Sequence, residues 1–295
     1  MGIVFDEKLD LFHLETEHTS YVIGLADKRT YVGHVYYGKR IRPQDMRYLL
    51  RVGEPPYVPS ENNRERCSFY DTFPFEYSGN GVGDYRESAI AVTTVEGQHA
   101  ILPTYVSYGI TKEKPLLAGL PSSFDRDKNT ETLIIHCTDS VLNVNVDLYY
   151  TVFEDTDMIT RSVHICNQDE KPIYLTKALS ACLDMDDNDY EMLTLHGSWA
   201  RERQMDRRAI GYGKTSVGSI KGESSHQEHP FMAWMTKNAT QTTGEVYAMH
   251  FIYSGNFIAQ LEKSQFDSIR AVMGIHPADF GWKLESGDAF DTPEV

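Results

Sequence analysis

Residues 142–152 read LNVNVDLYYTV, and in this stretch apolar side chains alternate with polar ones. Successive side chains of a β-strand point to opposite faces, so the alternation predicts a half-buried antiparallel strand with Val144, Val146 and Leu148 on its buried face. Other segments with strand character lie at 20–25, 33–37, 89–95, 132–137, 159–166, 246–253, 257–261 and 268–273. The chain therefore reads as a series of strands.

Short turn signals separate these segments, among them Asp-Lys at 27–28 and Ser-Gly-Asn at 254–256. The second predicts a hairpin, because it joins two strand segments closely. Helical periodicity is nearly absent, and the best helical segment is 43–50, with proline in the first turn. Many strands with short turns, together with 18 tyrosines and 13 phenylalanines, predict an all-β sandwich. No convincing domain break appears, so residues 1–295 are expected to form one domain.

The charge balance excludes some classes of partner. The chain carries a net charge of -15, and no cluster of Lys and Arg could displace counterions from a nucleic acid. No apolar stretch approaches the roughly 20 residues that span a bilayer, and no secretion signal is visible, so we expect a cytoplasmic protein that handles a neutral ligand. The four cysteines, at 67, 137, 166 and 182, lack metal-site spacing and are expected to be free thiols.

Motifs for metal binding and acid–base catalysis are weak. His226 and His229 are three residues apart but lack a third ligand, so we expect a packed strand end rather than a metal site. Glu76 and Asp84 bracket a glycine-rich loop. Glycoside hydrolysis requires a pair of carboxylates at a set separation, but structural turns use acidic residues in the same way.

The most unusual segment is HGSWARER at 196–203. It places Trp199 beside Arg201 and Glu202, a combination in which a ring face stacks on sugar C–H groups while charged side chains bind hydroxyls. The alternative is a core tryptophan flanked by surface ion pairs, and composition by itself favours that alternative.

Several short stretches, taken in order, resemble glycoside hydrolase family 36, the bacterial α-galactosidases. They include HVYYGK at 34–39, GDYR at 83–86, ITRS at 159–162, GSW at 197–199, RER at 201–203, SSHQ at 224–227 and SGNF at 254–257. The resemblance implies an N-terminal β-supersandwich of the galactose mutarotase type with few short helices. It also implies a catalytic (β/α)8 barrel after residue 295, which would carry both catalytic aspartates, so that residues 1–295 hold no catalytic residue.

The resemblance further implies a retaining enzyme that hydrolyses terminal α-1,6-galactosides such as melibiose and raffinose without metal or cofactor. It implies a homotetramer in which this domain reaches a neighbouring active site. The substrate-binding residues would be Trp199, Arg201 and Glu202, joined by Glu54 and Arg66. The last two lie in the proline-rich loop 51–66, where an acidic residue and an arginine are expected to touch the second sugar; the acidic position falls on Gly53 or Glu54.

Two other classes of function stay open at this point. One is a stand-alone carbohydrate-binding module. The other is a mutarotase-like enzyme, which needs a histidine base and a carboxylate in a concave sheet, and for which His226 with Glu76 is the available pair.

Overall fold

The computed structural model describes residues 2–50, 70–125 and 129–295, and these residues form strands almost throughout. The strands are β1 (Gly2–Asp6), β2 (Leu11–Glu15), β3 (Thr19–Ala26), β4 (Tyr31–Lys39), β5 (Ile90–Thr94), β6 (Thr104–Thr111), β7 (Thr130–Asp139), β8 (Val144–Phe153), β9 (Met158–Asn167), β10 (Ile173–Asp186), β11 (Tyr190–Ser198), β12 (Arg201–Ala209), β13 (Gly213–Ser219), β14 (Glu228–Thr236), β15 (Val246–His250), β16 (Phe257–Lys263), β17 (Ser268–Ile275), β18 (Trp282–Leu284) and β19 (Ala289–Asp291). Among the described residues, the helical structure is limited to a single 3₁₀ turn, Arg47–Leu49. No helix of the described residues is long and apolar enough to cross a membrane.

The strands form four antiparallel sheets. The N-terminal sheet has the order β1-β2-β3-β4, and the meander sheet has the order β19-β9-β8-β7-β6. The central sheet has the order β13-β16-β17-β10-β18, with β5 also paired to β10. The hairpin sheet has the order β12-β11-β14-β15. The prediction of an all-β, antiparallel protein is therefore confirmed.

The alternating stretch at 142–152 lies in the middle of the meander sheet. From Val144 onward it is β8, paired over its whole length with β7 and β9. Val144, Val146, Leu148 and Tyr150 are all buried. They belong to one apolar core that also receives side chains from the other three sheets. The alternation stabilises the fold mainly because it places these apolar side chains of β8 on the face that is buried.

Every predicted strand overlaps an observed one, but the predicted hairpin at 254–256 is wrong. The segment joins β15, at the edge of the hairpin sheet, to β16, between β13 and β17 in the central sheet. The preceding strand ends at His250, and Ile252 then bridges to Glu294. A short turn motif predicts that the chain reverses direction. It does not determine which sheet the next strand enters, because that depends on packing against distant strands.

A buried ionic network ties the loop after Tyr70 to the central sheet. Arg270 Nε donates to Asp184 Oδ1 at 2.6 Å, and its Nη2 lies 2.7 Å from Asp84 Oδ2. Arg86 bonds the same two carboxylates, with 2.8 Å from Nε to Asp84 and 3.1 Å from Nη1 to Asp184. All four side chains are buried. Two guanidinium groups thus neutralise two carboxylates, which is the condition for charge burial.

Replacing Arg270 with methionine should lower the free energy of unfolding by about 3–5 kcal/mol, because Asp84 and Asp184 then share one cation in the interior. Urea denaturation of the 295-residue chain would measure the loss. The matched control is Lys171→Ala, which removes an exposed ion pair with Glu96 and should cost less than about 1 kcal/mol. Equal losses in the two variants would contradict this account of the network.

Candidate functional site

Three of the five predicted sugar-binding residues meet at the tip of one hairpin. Trp199 lies in the turn between β11 and β12, and Arg201 and Glu202 begin β12. The other two, Glu54 and Arg66, lie outside the described residues. The described part of the predicted site is therefore the segment 196–204, referred to below as the Trp199 hairpin.

The turn of the Trp199 hairpin is tight and has an unusual backbone. Ser198 pairs with Arg201, so Trp199 and Ala200 form a two-residue loop. Ala200 has φ +62°, in the left-handed region that residues with a β-carbon rarely adopt. Gly197 faces the opposite strand so closely that a Cβ there would lie 2.2 Å from the carbonyl oxygen of Arg201. Glycine at position 197 thus allows β11 and β12 to approach each other very closely at this tip.

The indole of Trp199 faces solvent. Its exposed fraction is 89%, and every residue of β12 is exposed. The core tryptophan of the hairpin sheet is Trp234 on β14, which is 1% exposed and stacks on Tyr247. The alternative interpretation of Trp199 as a core residue is therefore wrong. An uncovered indole next to cationic side chains is suited to stacking on the apolar face of a sugar.

The polar groups of the hairpin differ in their availability. Within the described residues, the guanidinium of Arg201 has no hydrogen bond or ion pair, and it borders an open cleft of about 560 Å³ with Gln204 and Gln227. Glu202 is engaged, since its Oε1 accepts the backbone N–H of Ala200 at 2.8 Å. The backbone N–H groups of Glu202 itself and of Ala200 lower the pKa of the Glu202 carboxyl. His196 and Glu228, paired at 2.9 Å, close the base of the cleft.

The proposed mutarotase pair, His226 and Glu76, is wrong. Glu76 is fully buried, and its carboxylate accepts hydrogen bonds from Tyr21 and Tyr150, each at 2.8 Å. Its histidine partner is His34, at 2.8 Å, whereas His226 is exposed and lies near Glu202. Both oxygens of the Glu76 carboxylate are used in hydrogen bonds inside the core. This carboxylate therefore stabilises the fold and is not available to a substrate.

A second large cavity, of about 530 Å³, is lined by residues of the N-terminal, hairpin and central sheets. Two of its charged lining residues, Arg86 and Asp184, are already engaged in the buried ionic network. The hydroxyls of Tyr36 and Tyr247 donate to backbone carbonyls at 2.8 and 3.1 Å. This cavity offers few free polar groups, so the Trp199 hairpin is the better candidate. Across the described ranges, no group of three or more His, Cys, Asp or Glu side chains could hold a metal ion.

Comparison with known proteins gives one consistent result. Residues 30–285 match the family model described as the glycosyl hydrolase family 36 N-terminal domain. The chain is 37% identical over 297 residues to α-galactosidase AgaA from Geobacillus stearothermophilus, covering 100% of this chain and 40% of that protein.

Solved structures agree with this match. The crystal structure of α-galactosidase AgaB from the same organism superposes with a TM-score of 0.93 at 37% identity, covering 100% of this chain and 40% of that chain. A variant of AgaA solved in complex with raffinose superposes with a TM-score of 0.92 at 38% identity, covering 97% and 40%. The chain thus spans about two fifths of the relatives that it matches.

Replacing Glu76 with glutamine should destabilise the chain by about 3–5 kcal/mol at pH 7, because Arg161 loses a buried counter-charge. Burial raises the pKa of Glu76, but the charges of Arg161 and His34 and the hydrogen bonds outweigh it and hold the pKa below 4.5. The ionised Glu76 therefore stabilises the fold fully above pH 4.5. This stabilisation is progressively lost as the pH falls through the lower pKa that Glu76 has in the folded state.

Urea denaturation at several pH values would measure the difference in the free energy of unfolding between the wild type and Glu76→Gln. We expect this difference, the stability gap, to narrow below pH 4.5. Glu285→Gln, which alters an exposed ion pair with Lys283, is the control and should show almost no gap. A gap of the same size at pH 3 and pH 7 would show that charge is not the stabilising feature.

Proposed function

The chain belongs to the glycosyl hydrolase family 36 N-terminal domain family, and on this basis we propose that it is the non-catalytic domain of a retaining α-galactosidase. Its four sheets would form the β-supersandwich of that family, which is supported by the large apolar core to which all four contribute. The catalytic aspartates would lie in a (β/α)8 barrel after residue 295, in the part of the relatives that this chain does not match. The protein would act in a reducing cytoplasm, in keeping with the free thiols Cys137, Cys166 and Cys182.

The substrates would be terminal α-1,6-galactosides such as melibiose and raffinose. Support comes from relatives that are named α-galactosidases and from AgaA variants solved with raffinose and with stachyose. The hydrolysis would proceed by double displacement through a galactosyl-enzyme intermediate and needs no metal or organic cofactor. An acidic protein with net charge -15 is compatible with such neutral ligands.

The role of this domain would be to complete the rim of a sugar site, and the observation that carries the idea is the exposed indole of Trp199. In a homotetramer, this domain would reach a neighbouring subunit's active site, and the Trp199 hairpin would lie near the bound sugar. There Trp199 would stack on a sugar ring and Arg201 would donate to hydroxyls. Glu54 and Arg66 would contact the second sugar of the substrate.

The 295-residue chain by itself should not hydrolyse an aryl α-galactoside, because it would lack both groups of the covalent route. The measurement is release of the aryl alcohol by purified chain at high protein concentration. The full-length enzyme is the positive control. Turnover that stays with the chain through repeated purification would refute the proposal.

In the full-length enzyme, Trp199→Ala should raise KM for raffinose about tenfold, equivalent to roughly 1.4 kcal/mol of lost stacking. The change in kcat should be smaller, and the unfolding midpoint should hardly move, because the ring is exposed. Tyr212→Ala, which removes an aromatic ring that is 73% exposed elsewhere on the surface, is the control and should leave KM unchanged. An unchanged KM in Trp199→Ala would remove the hairpin from the sugar site.

A further inference from the structure

The Trp199 hairpin holds two residues in a costly backbone conformation within a short exposed segment. Ala200 has φ +62° and Arg203 has φ +53°. A β-carbon clashes with the following carbonyl oxygen in this region, so such residues persist only where other interactions hold them. Glycine is the ordinary choice at such positions. An interaction at the tip must therefore oppose relaxation of the turn.

Besides the pairing of Ser198 with Arg201, Glu202 makes a side-chain hydrogen bond across this turn. Its carboxylate reaches back over the turn, and Oε1 accepts the N–H of Ala200 at 2.8 Å. Hydrogen bonds to an ionised acceptor are roughly twice as strong as neutral ones. The bond spans only two residues, so it acts on the conformation of the loop that carries Trp199 and on little else.

The neighbouring side chains are arranged differently. In the described part of the chain, the indole of Trp199 and the guanidinium of Arg201 make no ring contact, hydrogen bond or ion pair. Further along β12, the strand is anchored by Arg207, whose Nη1 donates to the carbonyl of Ala239 at 2.7 Å. The hairpin thus has a fixed base, a clamped turn, and two uncommitted groups at its tip.

We propose that Glu202 is a positioning residue, whose carboxylate clamps the Trp199–Ala200 turn and presents the indole of Trp199 in one orientation. This reassigns Glu202 from a direct sugar ligand, and it rests on the proposed role of Trp199 in the sugar site. The benefit is preorganisation: a side chain that is already ordered loses less freedom when ligand binds.

The experiment compares four variants of the full-length enzyme on raffinose: Glu202→Gln, Glu202→Ala, Trp199→Ala, and Trp199→Ala with Glu202→Ala. Glutamine retains an oxygen that accepts the N–H of Ala200 but removes the charge. A clamp therefore predicts that Glu202→Gln stays within about twofold of the wild-type KM, while Glu202→Ala raises KM about fivefold at nearly constant kcat.

The double variant tests whether Glu202 acts through Trp199. If it does, removing both side chains should be no worse than Trp199→Ala, since a clamp has no effect once the ring that it orients is gone. Multiplicative effects in the double variant would show that the carboxylate acts independently of the ring, as a group that touches the sugar would, and would overturn the proposal.

Hydrogen–deuterium exchange of the peptide containing Ala200 provides a readout that does not depend on activity. Exchange should be faster in Glu202→Ala and close to wild type in Glu202→Gln. Asp169→Ala is the matched control, because Asp169 makes the same kind of carboxylate bond, at 3.0 Å to the N–H of Lys171, in a distant turn. It should leave both the exchange of the Ala200 peptide and KM unchanged.

The two proposals can fail separately. If Trp199→Ala does not change KM, the sugar-site role of the hairpin is wrong, yet faster exchange in Glu202→Ala still supports the clamp. If exchange at Ala200 is the same in the wild type and Glu202→Ala, the clamp is wrong whatever the kinetics show.

Discussion

The buried carboxylate of Glu76 is the interaction on which the arrangement of the sheets depends. It joins Tyr21 and His34 of the N-terminal sheet to Tyr150 and Arg161 of the meander sheet. The same guanidinium also donates to the carbonyl of Cys182 on β10 at 2.7 Å, which brings in the central sheet. Since a buried charge is tolerated only when its partners are in place, the cluster allows few alternative packings of these three sheets.

The hairpin sheet differs because only part of it contributes to the core. Met192 on β11 and Met232 and Trp234 on β14 are buried, whereas every residue of β12 is exposed. An exposed edge strand offers unpaired backbone groups to other chains, and charged side chains are a common protection against this. The six charged residues of β12 serve that purpose and leave the strand free to carry a functional tip.

Rigidity and exposure are therefore combined at the tip of the Trp199 hairpin. The strand pairing of β11 with β12 and β14 supplies a stable base. Local bonds then set the turn, without covering the indole. A side chain that contacts a ligand must be ordered before the ligand binds and must also be accessible to it. The Trp199 hairpin meets both conditions.

The sequence by itself determined the all-β character, because alternation of apolar and polar residues is a local property that strands such as β8 express directly. It also determined that 196–203 is an unusual segment, and its short motifs pointed to the family. The long strand β10 was missed; its residues 178–184 are buried on both faces and lack alternation. Tertiary structure alone decided that Trp234 is buried while Trp199 is exposed, that Glu76 faces His34 rather than His226, and that β15 and β16 belong to different sheets. In each case the outcome depends on strands far apart in the chain, whose contacts form only when the sheets pack.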